Sequence, residues 1–273
     1  MGKGPGLFSD IGKKAKDLLY KDYLEDHKIT VTSQSVTGLA FTTTGLKKGD
    51  VFLGDIATKF KKRNVTTEIK LDTNSNIFTT ITVDEFAKGF NSIMKFTIPD
   101  PNSGKLEVQY WHDHACLSAA TGLTPVPLVE VNGVLGNGRF AIGGEAAFDT
   151  NSGTFTKYNA GIGVNESDFT ASLLLMDKGD TLKASYVHNT TRDKRTTVAA
   201  ELVHKLSKNE NTFTIGSSYA WDPMTTVKTR VDNHGTVATI VQHEWRPKST
   251  VTVSATKPMD KPAKYGLALA LKP

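Results

Sequence analysis

The sequence predicts an all-β fold, a closed barrel of about nineteen antiparallel strands. The main observation is a repeated pattern. Runs in which apolar and polar residues alternate recur about every 10 to 15 positions between residues 28 and 271, and Gly, Asn, Asp, Ser or Lys turns separate them. A period of two is typical of antiparallel strands with two chemically different faces.

The second observation concerns where the charges lie within these runs. In 64–72, Val65, Ile69 and Leu71 share one face, and Glu68 and Lys70 share the other. The runs 104–112 and 225–233 repeat this separation. Charges on one face of strand after strand predict a water-filled interior and a lipid-facing exterior. The positive wall residues predicted to face the interior are Lys70, Lys105, Lys228 and Arg230.

The strand candidates form one uninterrupted series. They are 27–35, 37–44, 49–61, 64–72, 76–83, 90–98, 104–112, 115–123, 127–135, 138–148, 153–163, 168–176, 180–188, 194–204, 212–220, 225–233, 237–245, 249–256 and 263–271. So many strands exceed a single open sheet, and neither a propeller repeat nor a solenoid repeat is present. Strands of about ten residues tilted near 40° span roughly 25 Å, the height of a membrane band. A transmembrane barrel is therefore predicted.

The size and closure of this barrel follow from the strand count. Nineteen strands about 4.8 Å apart give a backbone diameter of roughly 35 to 40 Å, too wide for side chains to fill. An odd number of strands in a closed meander requires one parallel pair, most simply the first strand against the last. The sequence thus predicts an aqueous interior and a parallel seam.

Composition limits the alternatives. The chain has 273 residues, is 38% hydrophobic and has a mean hydropathy of −0.29. It contains no run of about 18 apolar residues, so no transmembrane helix is predicted. The first residues lack the apolar stretch of a secretory signal, and the lone Cys116 cannot form an intramolecular disulfide. We therefore expect synthesis in a reducing compartment without export.

The N-terminal segment has a different period. Residues 7–20 predict one amphipathic helix that Ser9 or Asp10 could cap. Its apolar stripe consists of Leu7, Ile11, Ala15, Leu18 and Leu19. The predicted organisation is a leader with this helix at 1–26 and a transmembrane barrel at 27–273.

Three segments carry a family resemblance that covers essentially the whole chain. They are the leader Gly6–Leu19, the stretch Tyr219–Asn233 and the tail Lys264–Leu271. The leader resembles the plant-like form of the leader helix in eukaryotic mitochondrial porins, the voltage-dependent anion channels. The stretch resembles the signature of that family, and the tail resembles the sorting signal of mitochondrial barrels.

The resemblance implies a voltage-gated, weakly anion-selective diffusion pore in the mitochondrial outer membrane. Its permeants would be ATP, ADP, phosphate and small metabolites, and its leader helix would lie in the lumen. The residues implied to face permeant nucleotides are Asp10, Lys13, Lys16, Asp17 and Lys21. Weak anion preference agrees with the net charge of +5, because a positive wall favours anions while screening keeps the preference small.

The partners implied by the resemblance are the lipid bilayer and the permeant anions. Hexokinase-type kinases and apoptotic regulators at the rim, and a homo-oligomer, are further implied partners. The sequence predicts no enzymatic activity, no cofactor and no metal. It also predicts no specific nucleic-acid partner.

Other motifs have simpler explanations. His112-Asp113-His114 has no third ligand cluster and suits a hairpin better than a metal site. Gly133–Gly138 suits a strand–turn–strand segment better than a phosphate loop, since no helix follows it. Cys116 is expected to be a small buried or lipid-facing side chain. The basic stretch Lys59–Arg63 could attract nucleic acid or anionic headgroups, although a solvated turn at the membrane rim is the simpler interpretation.

Two other functions fit the strand pattern. One is a protein-import pore on the same fold; such relatives usually carry a longer polar extension than the 26 residues found here. The other is a soluble all-β binding protein, whose strands would expose their polar face instead.

Overall fold

The computed structural model describes residues 4–35, 38–190 and 195–272. Residues 37 and 194, where two of the predicted strands start, lie outside this description. The described residues form the strands β1 His27–Gln34, β2 Leu39–Lys48, β3 Val51–Lys62, β4 Val65–Asp72, β5 Ile77–Ala87, β6 Phe90–Ile98, β7 Lys105–Trp111, β8 Ala115–Gly122, β9 Leu128–Gly136, β10 Phe140–Asp149, β11 Thr154–Asn165, β12 Phe169–Met176, β13 Thr181–Asn189, β14 Thr196–Lys205, β15 Glu210–Asp222, β16 Thr225–Asp232, β17 Val237–Arg246, β18 Ser249–Lys257 and β19 Lys264–Leu271.

The strands form one closed sheet. Each strand pairs antiparallel with its successor along the chain, and β19 returns to β1. This last pairing is parallel, with His27 opposite Leu267 and Val31 opposite Leu271. The predicted nineteen-stranded barrel and its parallel seam are therefore confirmed. Closure leaves no unpaired edge among the nineteen described strands, as a sheet in lipid requires.

Short polar turns connect the strands. At the β4–β5 turn, the Asp72 carboxylate accepts hydrogen bonds from the backbone N–H groups of Asn74 and Asn76. Asp232 does the same for His234 and Thr236 at the β16–β17 turn. An Asp side chain that satisfies its own turn in this way fixes a tight reversal between strands.

The two faces of the wall differ as predicted. Large apolar residues such as Ile69, Val253 and Leu267 are more than 40% exposed on the outer face. On the inner face, charged residues of neighbouring strands form ion pairs, for example Lys59 with Glu68 and Lys95 with Glu107. An apolar exterior and a charged interior contradict the soluble alternative, which requires the reverse arrangement.

The leader differs from its prediction. The continuous helix predicted over 7–20 is wrong: a 3-10 turn at Phe8–Asp10 and an α-helix, α1, at Lys13–Tyr20 are separated at Gly12. Gly12 adopts a left-handed conformation (φ 77°) and is the N-cap of α1, so neither Ser9 nor Asp10 caps that helix. The Asp10 carboxylate instead accepts a hydrogen bond from the Leu7 N–H and closes the short turn.

No helix among the described residues is both long and apolar enough to cross a membrane.

Ile69 lies near the middle of β4 on the outer face, and its substitution tests the assignment of the two faces. Ile69→Lys is expected to destabilise the barrel in lipid by about 2 to 4 kcal/mol, because a charged side chain would then lie near the bilayer midplane. Urea unfolding in lipid vesicles measures this change.

The matched control is Thr80→Lys on the inner face. Thr80 lies opposite Glu68 on one side and Lys95 on the other, so its side chain points into the charged lumen. This variant is expected to unfold within about 1 kcal/mol of the unmodified chain. Equal losses for the two variants would contradict the assigned faces.

Candidate functional site

The leader lies inside the barrel. The 3-10 turn contacts β9 and β10, and α1 contacts β13 to β16. Seven strand spacings separate β9 from β16, an arc of about 34 Å, whereas residues 8–20 are only about 20 Å long as a helix. A short segment can touch so long an arc only from its concave side. The leader therefore occupies part of the lumen.

Apolar contacts hold the leader against the wall. Leu19 is fully buried, and Ala15 is 1% exposed. Two clusters are formed, one by Phe8, Ile11, Val134 and Leu174 and the other by Ala15, Leu18, Leu19, Val187 and Ala199. Phe8, which the predicted stripe omitted, is buried at 6% exposure, whereas Leu7 is only partly buried. The break at Gly12 accounts for this change of face.

Small residues in the wall make room for the leader. A Cβ on Gly216 would come within 2.7 Å of the Leu19 side chain. On β19, Gly266 allows close approach of the Leu24 carbonyl, which also accepts a hydrogen bond from the Ser254 hydroxyl. Larger residues at these positions would displace the leader from the wall.

A buried ion pair anchors the end of α1. Glu201 on β14 is 2% exposed, and its Oε2 lies 2.9 Å from the Lys183 ammonium on β13. Its other oxygen, Oε1, accepts a 2.8 Å hydrogen bond from the Tyr20 hydroxyl. Burial raises the pKa of Tyr20 to about 12, so this hydroxyl remains a donor throughout the physiological range. Glu201 thus depends on both Lys183 and the docked leader for compensation.

Arg230 holds the same end of the leader. Its guanidinium donates a 3.0 Å hydrogen bond to the Leu19 carbonyl, in the last turn of α1. The guanidinium also lies 5.2 Å from the ring centre of Tyr20 and 4.8 Å from that of Tyr23. A cation at a helix C-terminus satisfies free carbonyls and the helix dipole. Arg230 therefore positions the leader, in addition to contributing charge to the wall.

The other predicted wall residues also lie on the inner face, and each has an acidic partner. Lys228 pairs with Asp22 of the leader at 3.4 Å and has a side chain only 16% exposed. Lys70 pairs with Asp55 at 3.1 Å, and Lys105 pairs with Glu130. Because each positive charge has a nearby negative charge, these residues contribute less to the net field in the lumen than their number indicates.

The predicted leader residues are less compensated. Lys13 pairs with Asp10 at 3.1 Å, with both side chains well exposed. Lys16 and Lys21 are exposed and have no ion-pair partner in the described part of the chain. Asp17 is partly buried. In the described part of the chain, Lys16 and Lys21 therefore carry positive charge without an ion-pair partner, unlike Lys70, Lys105 and Lys228 of the wall.

A cavity of about 300 Å³ separates part of the leader from the wall. Lys13 and Lys16 line it from the leader, and Lys157 and Lys183 line it from the wall. Glu145 also lines it and pairs with Lys157 at 2.7 Å. Among the described residues, three of these ammonium groups are paired with carboxylates, so Lys16 contributes the unpaired positive charge of this water-accessible space.

Several residues that hold the leader against the wall could not be identified from the sequence. Lys14 was not among the predicted residues, yet its ammonium donates hydrogen bonds to Asn165 and Thr170 and ties the leader to the β11–β12 region. Lys183 and Glu201 were likewise missed. Their alternation marks them as inner-face residues, but nothing local shows that they meet each other and Tyr20.

The remaining motifs lie within strands and turns. His112 and His114 occupy the β7–β8 turn, and the described residues contain no group of three or more His, Cys, Asp or Glu that could hold a metal ion. Gly133–Gly138 comprises the end of β9 and the turn into β10. Cys116 is buried at 1% exposure opposite Val134 on the inner face, so its lipid-facing alternative is wrong.

Comparison with known proteins agrees with this arrangement. Residues 4–265 match the eukaryotic porin family. The chain is 55% identical to the mitochondrial outer membrane protein porin of 36 kDa from Solanum tuberosum, and 50% identical both to the outer plastidial membrane protein porin of Pisum sativum and to the mitochondrial outer membrane protein porin 1 of Arabidopsis thaliana. Each of these alignments covers 100% of both chains. The chain belongs to the eukaryotic porin family.

Proposed function

We propose that the chain is a voltage-dependent, weakly anion-selective diffusion pore through which ATP, ADP, phosphate and small metabolites cross the mitochondrial outer membrane. The observation that carries this proposal is a closed nineteen-stranded barrel with a charged inner face and a leader that fills only part of it. We assign residues 1–26 to the leader and 27–273 to the pore wall.

The dimensions support passage of metabolites. A barrel about 35 to 40 Å across at the backbone contains a helix about 10 to 12 Å wide with its side chains. The part of the leader that includes the 3-10 turn and α1 follows the wall from β9 to β16. The open space beside it has room for hydrated ions and nucleotides.

The family relationship supports the location. The relatives named above include mitochondrial porins and one plastidial porin at 50% identity. We favour mitochondria because the tail, now seen to form β19, carries the sorting pattern Lys264–Leu271. Fractionation of cells that produce the tagged chain distinguishes the two organelles.

The leader lysines are the proposed contacts for permeant anions. Lys16 and Lys21 offer uncompensated charge, and Lys13 lines the same cavity as Lys16. Asp10 and Asp17 moderate this charge and keep the preference weak. Transit requires only such weak contacts, because a tightly held anion would block the pore.

Partners and chemistry complete the proposal. The apolar outer band takes the lipid bilayer as its partner, and the lumen takes small permeants. We extend the proposal, on family resemblance, to hexokinase-type kinases and apoptotic regulators at the rim and to a homo-oligomer. We assign the chain no enzymatic activity.

Efflux from proteoliposomes tests the proposed transport. The vesicles contain the refolded chain, ATP and a dextran of about 10 kDa, which is far larger than a nucleotide. They should release the ATP and retain the dextran. Retention of both solutes by vesicles that contain a folded barrel would contradict a diffusion pore. Release of both would indicate membrane damage instead of a defined lumen, which also contradicts the proposal.

A further inference from the structure

A groove on the outer surface lies at one rim of the barrel, where β3 turns into β4. It has a volume of about 450 Å³, and its lining residues are Phe60, Lys62, Arg63, Asn64, Val65 and Thr67. Phe60 and Val65 are exposed on the lipid-facing side of the wall. The groove thus combines an apolar floor, formed by Phe60 and Val65, with the basic side chains of Lys62 and Arg63 at the end nearest the rim.

Strand alternation separates the basic residues of this region into two groups. Lys59 and Lys61 point into the lumen, where they pair with Glu68 at 3.9 Å and with Asp84 at 3.2 Å. Lys62 ends β3 on the opposite face, and Arg63 forms the turn. Neither Lys62 nor Arg63 has an ion-pair partner in the described part of the chain. Two positive charges therefore remain free above the apolar floor.

The tryptophans of the barrel mark the level at which these charges lie. Neighbouring strands are antiparallel throughout the meander, so all odd-numbered strands end at the same rim. Trp221 and Trp245 lie near the ends of β15 and β17, and Lys62 is the last residue of β3. Tryptophans of membrane barrels concentrate at the headgroup level. Lys62 and Arg63 are therefore at the height of lipid phosphates.

We propose that this groove binds a phospholipid with an anionic headgroup. Lys62 and Arg63 contact the headgroup phosphate, and Phe60, Val65 and Thr67 contact the first part of an acyl chain. A guanidinium and an ammonium are suitable partners for a phosphate, since both donate charge-assisted hydrogen bonds. The apolar floor continues into the lipid-facing band of the barrel.

This continuity favours a lipid over a soluble anion or a nucleic acid. A free phosphate would use the two charges but not the apolar floor. A nucleic acid would require a broad basic surface, whereas Lys59 and Lys61 face the other side of the wall. The occupant that matches both parts of the groove is an amphiphile with a negative head.

Lipid binding to the full-length refolded chain in neutral detergent micelles tests the proposal. Spin-labelled phosphatidic acid and phosphatidylcholine are titrated in parallel, and the ratio of their association constants gives the preference for the anionic headgroup. Each basic residue near an anionic lipid contributes about a fivefold gain. The double variant K62Q/R63N should therefore reduce the preference by about 25-fold. Asn is used at position 63 because Arg63 has a φ of 54°, a conformation that Asn tolerates.

The matched control is K59Q/K61Q, which removes the same charge from the same strand on the inner face. This variant should keep the preference of the unmodified chain. An unchanged preference in K62Q/R63N, or equal losses in the two variants, would overturn the proposal. Displacement of phosphatidic acid by millimolar inorganic phosphate would also overturn it, by identifying a free-anion site. The single variant R63N, expected to lose about fivefold, provides the same test should the double variant not fold.

Discussion

Replacing Lys13, Lys16 and Lys21 by Glu is expected to convert the pore from a weak preference for anions to a preference for cations. The three substitutions change the charge of the leader by six units. Lys70, Lys105 and Lys228 of the wall offset little of this change, because they are already paired with acidic residues. Residues 1–26 contain five lysines and five acidic residues, so the variant gives the leader a net charge of −6 close to the permeant ions. Reversal potential across a planar bilayer under a KCl gradient measures the preference.

The leader should remain docked in this triple variant. All three lysines are exposed, and the apolar residues that pack on the wall are unchanged. The control reverses three exposed turn lysines, Lys88, Lys208 and Lys261, and so changes the total charge equally. This control should keep an anion preference, because rim charges are screened over about 8 to 10 Å. A triple leader variant that forms pores with an unchanged reversal potential would show that the leader does not line the conduction path.

Replacing Lys183 by Met is expected to destabilise the docked leader by about 3 to 5 kcal/mol. Glu201, at 2% exposure, would lose its only ion-pair partner in the described part of the chain. Release of the leader, which covers the Glu201 carboxylate, would let water solvate that carboxylate. Cleavage of the leader by trypsin in detergent-solubilised protein measures this release, and thermal unfolding measures the loss of stability.

Two further variants identify the cause. Lys183→Met combined with Glu201→Gln removes both charges and keeps an acceptor for the Tyr20 hydroxyl, so it should restore most of the protection. Lys157→Met breaks a pair with Glu145 whose side chains are 51% and 26% exposed, and should cost at most about 1 kcal/mol. If Lys183→Met left the leader as resistant to trypsin as the unmodified chain, the buried pair would not anchor it.

The barrel could be predicted because its signal is local and repeated. Alternation within each strand assigns faces without knowledge of the neighbours, so residues such as Glu68 and Ile69 were placed on the correct sides. The parallel seam followed from the odd strand number. Strand ends were less accurate: β15 extends to Asp222, two residues beyond its predicted end, because a bulge near Trp221 prolongs the pairing.

The leader could be predicted only in part. Its apolar period indicated an amphipathic helix, but the break depends on Gly12, whose left-handed conformation exchanges Leu7 for Phe8 at the wall. Gly12 was a visible signal for this break. The wall residues that contact the leader could not be predicted from the sequence. Contacts such as that of Tyr20 with Glu201 join residues 181 positions apart and depend on the register of the intervening strands.

The single-channel current of the full-length refolded chain in a planar bilayer is the most direct test of a water-filled lumen that contains a leader with exposed lysines. Under a KCl gradient, we expect discrete, long-lived current steps whose reversal potential indicates a weak preference for chloride, and partial closure as the voltage rises. A folded barrel that inserts without conducting, or one that conducts with a preference for potassium, would contradict the proposed pore.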